Sequence, residues 1–278
     1  MLRTKNDSVL VNYDSYVVGL ERSLAHLDDS PFGYNTRWHI DPTRAESGAF
    51  LDLLQKLDAL TFGPEGMPMD KWVFYNCAEL PGFVYGFAMD AEQLDDRERE
   101  LFAPPPGYKG PVPISMYIAI PMLESGCWLG HNLASLNRTL PERQLGWLAT
   151  ITKAMGIKAY QMQECYGATQ WTSRALNVHV RFGDLDLLSA YTPAHSFAET
   201  LAYHVSIDDD CLRAAMGDPE SETLLKHGTA DIYLAADNVR GMKHLQKEIE
   251  AGQRYRIVGP ASWIGDQGVH PIAQIKED

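Results

Sequence analysis

Apolar positions recur along the chain with two different periods. Phe50, Leu53, Leu54 and Leu57 are spaced i, i+3, i+4, i+7, which places them on one helical face. Thr43-Arg44-Ala45-Glu46 ahead of them has the form of a capping box, and Gly63-Pro64 with Gly66 marks the end. Leu145, Leu148, Thr152 and Met155 repeat the helical spacing, closed by Gly156. Further helices are predicted over 172–182, with Gly183 suited to the C-terminal cap, and near 242–249. Runs rich in aromatic and β-branched residues predict strands instead. They lie at 9–13 and 16–18, at 71–76 and 83–89 (a hairpin about Leu80-Pro81-Gly82), and at 114–120 and 127–136, divided by Pro121 and Gly126. Residues 158–163, 187–192, 200–207 and 255–258 complete the strand set, while 31–42 reads as loop.

The order from 71 to 207 is strand, strand, insert, strand, strand, helix, strand, helix, strand, strand. This predicts an α+β fold, with helices flanking a mixed, mostly antiparallel sheet. The polar run 90–100 and Pro104-Pro105-Pro106-Gly107 predict an inserted helix and loop, about residues 90–110. After Asp208-Asp209-Asp210 the composition turns more polar. The expected organisation is therefore one domain over 1–207 and a C-terminal appendage over 208–278.

Composition narrows the classes. Of 278 residues, 45% are hydrophobic and 22% charged, enough to bury a core and against disorder. The formal net charge of −13 argues against a nucleic-acid backbone or anionic lipid as main partner, because polyanions are repelled at long range. No apolar run approaches the roughly 20 residues needed to span a bilayer, so no membrane partner is expected. Residues 1–7 show no apolar stretch behind their charges, so no secretory signal is expected. Cys77, Cys127, Cys165 and Cys211 lie far apart with no C-x-x-C pair, which suits free thiols and a cytoplasmic protein. His131, His195 and His204 raise a metal reading, and His131, His179 and His195 a histidine- or metal-assisted hydrolase. No H-x-H, H-E-x-x-H or paired carboxylate supports a metal, so none is expected. The chain has no G-x-S-x-G elbow, G-x-G-x-x-G turn or Walker loop.

The element order, with the run Ser173-Arg174-Ala175-Leu176-Asn177-Val178-His179-Val180-Arg181-Phe182-Gly183, resembles a divergent member of the GNAT superfamily of acyl-CoA-dependent N-acyltransferases. The family's fourth helix commonly reads N-x-R-A-x-x-L-Y-x-x-x-G-F; here Arg174-Ala175, Val178 and Gly183 fall at matching steps. The family's frequent tyrosine falls on His179, and the aromatic after the glycine falls on Asp184. Arg143-Gln144-Leu145-Gly146-Trp147 is similar to the family's pyrophosphate turn, Q/R-x-x-G-x-G/A, with Leu148 where a small residue belongs.

The resemblance implies transfer of an acyl group, most simply acetyl, from acetyl-CoA or another acyl-CoA to a small-molecule or cationic amine, in a protein that can form a homodimer. It also implies that Arg143, Gln144, Leu145, Gly146 and Trp147 receive the phosphates. Backbone groups of the strand holding Leu133 and Ser135 would bind the pantetheine arm. In the same terms His179 is the thiolate-protonating acid with Tyr166 in reserve, and His131 or Glu164 the base. Arginine suits phosphate through its guanidinium fork, and an imidazole near pKa 6.5 exchanges protons at neutral pH. A GNAT-fold binding or regulatory protein without activity is the alternative.

Overall fold

The computed structural model describes residues 7–24, 27–79, 84–137, 139–143, 145–224, 226–265 and 267–276. These residues have the architecture of a mixed, mostly antiparallel sheet flanked by helices. The chain divides into two compact units, Met1–Met122 with Gly130–Gln161, and Leu123–Leu129 with Met162–Asp278.

The first unit holds α1 (Asp7–Asn12), β1 (Asp14–Val18), α2 (Glu21–Leu24), β2 (Thr36–Ile40), α3 (Gly48–Phe62) and α4 (Lys71–Glu79). It continues through β3 (Val84–Asp90), α5 (Asp96–Phe102), β4 (Pro111–Pro113), β5 (Ser115–Pro121), most of β6 (Cys127–Ser135) and α6 (Leu148–Ala159). Its strands lie in the order β2-β1-β3-β5-β6, with β4 beside β3. β1 and β2 run parallel; β1 with β3, and β3 with β5, are antiparallel.

The predicted α3 stripe is in the core, with Phe50, Leu53, Leu54 and Leu57 all buried. Its start differs from the capping-box expectation. Thr43 Oγ1 donates to Asp41 (2.7 Å), Ala45–Ser47 make a 3₁₀ turn, and the α-helix opens at Gly48. Residues 71–76 are helical, not a strand. Phe74, Cys77 and Ala78 bury at i, i+3, i+4, so the helical period outweighs the β-branched and aromatic composition. The strand expected over 9–13 is likewise the end of α1, and the loop expected over 31–42 contains β2. The Leu80-Pro81-Gly82 turn lies outside the described residues.

Helix α6 runs through Gly156 instead of ending there. A Cβ on Gly156 would lie 3.1 Å from the Tyr117 ring, so the missing side chain lets the helix sit close to the sheet. The helix also takes Lys158 and Ala159 out of the expected strand 158–163. Beneath it, Thr152 Oγ1 lies 2.7 Å from both Ser115 Oγ and Leu148 O, and Tyr16 Oη donates to Ser115 O (2.8 Å). These contacts answer the need of buried polar groups for partners.

The second unit holds β7 (Glu164–Gln170), α7 (Leu176–His179), β8 (Leu185–Ser189), β9 (Thr200–Ser206), α8 (Asp209–Ala215) and α9 (Pro219–Leu224). It ends with β10 (Ile232–Ala235), α10 (Val239–Glu250), β11 (Arg254–Ile257), β12 (Ser262–Ile264) and β13 (Gln267–Ile275). Its strand order is β7-β9-β8-β11-β13-β10, with β12 beside β13. The helix expected over 172–182 contracts to α7 and a 3₁₀ turn at Val180–Phe182, which Gly183 (φ 134°) ends. Residues after 208 contribute β11, β13 and β10, which extend the sheet from β8.

Candidate active site

Side-chain alternation gives the second unit's sheet two unlike faces. Cys165, Leu185, Leu187, Leu201, Tyr203, Val205 and Ile257 are buried on one. The other carries a polar row fixed by strand register. Tyr166 on β7 is opposite His204 on β9, which is opposite Asp186 on β8, which is opposite Arg256 on β11. Glu164 is opposite Ser206, one step along on the same face. Gly126 O accepts from both Gln163 N (2.9 Å) and Glu164 N (3.0 Å), which fixes where β7 begins.

Within this row Glu164 Oε2 lies 2.6 Å from His204 Nε2 and accepts from Ser206 Oγ at 2.8 Å. A carboxylate only accepts, so His204 carries its proton on Nε2 and turns Nδ1 the other way. Nδ1 faces Asp186 Oδ2 across 3.9 Å, too long for a hydrogen bond. Asp186 is itself held through Oδ1 by Arg256 Nε at 2.5 Å. The Tyr166 ring lies over the His204 ring, centroids 4.7 Å apart. Desolvation, with Cys127, Glu124 and Glu164 nearby, holds the Tyr166 hydroxyl above its ordinary pKa, so it keeps its proton at neutral pH.

Beside the row is a cavity of ≈ 420 Å³, within the size range of small-molecule sites. Tyr166, His204 and Asp186 line it, with Leu188, Ile249 from α10, Ile275, and Arg254. The arrangement is an acceptor nitrogen, oriented from behind by a carboxylate, opening on a partly apolar cavity. Glu164 and Tyr166, two of the candidates, are two residues apart on the same face of β7. The residue that the sequence reading left out of the proton-transfer set is His204. Its signal is the alternation Tyr203-His204-Val205-Ser206, matched by Glu164-Cys165-Tyr166 forty residues earlier.

His179 lies elsewhere. Its ring is buried 5.1 Å from that of Tyr203, whose side chain is on the opposite face of β9 from His204. It is therefore not assembled with Glu164 and Tyr166. His195 turns into its own loop, where Nδ1 accepts from Phe197 N at 3.0 Å.

The remaining candidates belong to the first unit. His131 on β6 is exposed, and partial desolvation lowers its pKa against the opposing pull of Asp58. Neighbouring Asn132 donates to Asp58 Oδ1 (2.6 Å), and Met69 N donates to Oδ2 (2.7 Å). Burial raises the Asp58 pKa despite these two donors. Leu133 is half-buried, and Ser135 Oγ donates to Asn137 Oδ1 (2.9 Å). In the phosphate-like turn Leu145 is buried, Gly146 is exposed with open space where a Cβ would stand, and Gln144 lies outside the described residues. Trp147, at the N-cap of α6, is left-handed (φ 67°), and its own side chain does not cap the helix. The guanidinium fork of Arg143 is already used. It donates to Glu98 through Nε and Nη2, both at 2.5 Å, and to Gln93 O at 3.2 Å.

No protein-family model matches the sequence, and no curated protein matches it. Solved structures do. The chain is similar to one in the NatC complex bound to Gag peptide and CoA, at 13% identity and TM-score 0.43, over 60% of this chain and 97% of that one. It is similar to aminoglycoside 6'-acetyltransferase type Ii, at 11% identity and TM-score 0.39, over 61% of this chain and 95% of that one. A probable acetyltransferase (GNAT family) from Chromobacterium violaceum ATCC 12472 matches at 14% identity and TM-score 0.36, over 60% and 84% of the two chains. Two of these structures are described as acetyltransferases.

Proposed function

We propose that the protein transfers an acyl group, most simply acetyl, from acyl-CoA to a primary amine. The observation that carries this reading is the 2.6 Å contact between Glu164 and His204 at the edge of a small-molecule cavity. A free alkylammonium has a pKa of about 10.4, so the acceptor needs a proton sink before its nitrogen can attack. His204 supplies it at Nδ1, while Glu164 holds the ring and stabilises the imidazolium that forms, as a carboxylate does behind a catalytic histidine. Glu164 is then a positioning residue, not the direct base. Acyl-CoA supplies the activated carbonyl and the thiolate leaving group. The amine lone pair forms the C–N bond, the C–S bond breaks as Tyr166 gives its Oη proton to the departing sulfur, the second proton lost by the nitrogen restores the Tyr166 hydroxyl, and the first leaves His204 to solvent.

The test is calorimetric titration with acetyl-CoA and with CoA, followed by thiol release in the presence of a panel of primary amines. Micromolar binding and amine-dependent thiol release are expected. His204→Gln should lower kcat/KM about a hundredfold with acetyl-CoA affinity unchanged. No heat, and no thermal stabilisation by millimolar acetyl-CoA, overturns the reading. A non-catalytic binding protein, which the capture of Arg143 by Glu98 favours, then takes its place.

A further inference from the structure

The cavity beside His204 has a chemical asymmetry that narrows its occupant. His204 Nδ1 and Asp186 Oδ2 stand 3.9 Å apart. In the neutral ring Nδ1 is an acceptor, because Nε2 then carries the single proton toward Glu164, and Asp186 Oδ2 is an acceptor whose companion oxygen is held by Arg256. Two acceptors at that separation repel each other unless a donor bridges them, and one ammonium reaches both at ordinary hydrogen-bond length. Leu188, Ile249 and Ile275 give the lining an apolar part, beside the Tyr166 and Tyr255 rings and Gln253. Asp186 is the cavity's one carboxylate among the described residues, and Arg254 is its one permanent cation. A second ammonium would find no second carboxylate in this lining and would meet a guanidinium.

We propose that this cavity takes a primary amine bearing a single positive charge on an uncharged apolar body, and discriminates against polyamines. The inference rests on the acyl-transfer reading only for what happens next to the amine; recognition itself needs Asp186, His204 and the apolar wall. The bound ammonium donates one N–H to His204 Nδ1, the atom that accepts its proton in transfer, and another to Asp186 Oδ2. Arg256 acts as a positioning residue, keeping the second Asp186 oxygen turned toward the notch.

The experiment is calorimetric titration of the full chain, without CoA, using 2-phenylethylamine, n-hexylamine, spermidine and 2-phenylethanol. The two monoamines should bind at least roughly tenfold tighter than spermidine and than the alcohol, which lacks the charge. Asp186→Asn should weaken the monoamines by about tenfold or more. Leu188→Gln, at a half-exposed position where folding is not at stake, should weaken them about threefold and leave any spermidine binding unchanged. The proposal is overturned if neither monoamine binds at millimolar concentration, if spermidine binds tightest, or if the alcohol binds as well as the amine. Monoamine binding without acetyl-CoA turnover removes the acyl-transfer reading and leaves the cavity assignment standing. Turnover toward polyamines or peptide amines, with no monoamine binding, does the reverse.

Discussion

Glu98, with no exposed surface, takes both arms of the Arg143 guanidinium while its own backbone N–H and side chain close the capping box with Asp95. One buried carboxylate thus joins the start of α5 to the turn that leads toward α6. Removing the arginine would leave that carboxylate without its counter-charge in a water-excluded site. Arg143→Ala should therefore destabilise the protein by about 3 kcal/mol in urea unfolding. Arg143→Lys should recover only part of the loss, because an ammonium cannot make the two-armed contact. If Arg143 were chiefly a phosphate ligand, Arg143→Ala would instead leave stability unchanged and weaken acetyl-CoA binding.

Gly86 in β3 is held by a backbone and not by packing preference. A Cβ there would stand 2.1 Å from Ser115 O and 2.5 Å from Tyr16 Oη, the two groups of a buried hydrogen bond. The carbonyl belongs to β5 and cannot swing aside as a flexible side chain would. Gly86→Ala should cost about 3 kcal/mol by overpacking, read as a lower urea midpoint with an unchanged slope. A loss below about half a kcal/mol would mean that β3 and β5 separate more easily than their pairing implies.

The parts of the fold legible in the sequence are those whose burial pattern is local. The α3 stripe follows from helical spacing, and β5, β6 and β9 from runs rich in aromatic and β-branched residues, whereas β7, which carries Glu164 and Tyr166, begins only after the strand expected over 158–163. Residues 71–76 mislead because aromatic composition favours strand while the burying residues Phe74, Cys77 and Ala78 extend past that window at helical spacing. The His204 contact with Glu164 depends on the register of β7 against β9, which no local period encodes. The same holds for Asp186 and Arg256, seventy residues apart along the chain and opposite each other in the sheet. Arg143 misleads differently: its place in a phosphate-like motif is visible, but its buried partner, 45 residues earlier, is not.

The proton-transfer couple predicts a graded series. Glu164→Gln keeps the shape of the side chain and removes the charge that stabilises an imidazolium, so kcat/KM for amine acylation should fall about a hundredfold. Ser206→Ala removes one donor to Glu164 Oε2 and leaves His204 in place, so its effect should be about threefold to tenfold. Acetyl-CoA affinity should be unmoved in both. Steady-state kinetics with a fixed monoamine checks the order, and equal losses in the two variants would argue that Glu164 serves the fold and not the ring.

His270 predicts how stability responds to acid. It is completely buried on β13, between Trp171 and Trp263, with Nε2 2.8 Å from Trp171 O. A carbonyl only accepts, so Nε2 carries the proton, and Nδ1 has no hydrogen-bond partner. Desolvation lowers the folded-state pKa against the opposing bond to Trp171. The unfolded chain therefore binds a proton more readily than the folded one below the unfolded pKa of about 6.5. The stabilising contribution is complete above that value and is lost as pH falls from it toward the folded pKa. The slope is at most about 1.4 kcal/mol per pH unit for this one group. Urea unfolding at pH 7.5, 6.5 and 5.5 should give falling stability, part of it shared with His131, whose pKa is lowered as well. His270→Gln retains a donor toward the Trp171 carbonyl and cannot titrate. Whatever its stability at pH 7.5, its decline toward pH 5.5 should be shallower than that of the parent. Parallel curves would mean that His270 is protonated as easily inside the fold as outside it, and that water reaches Nδ1.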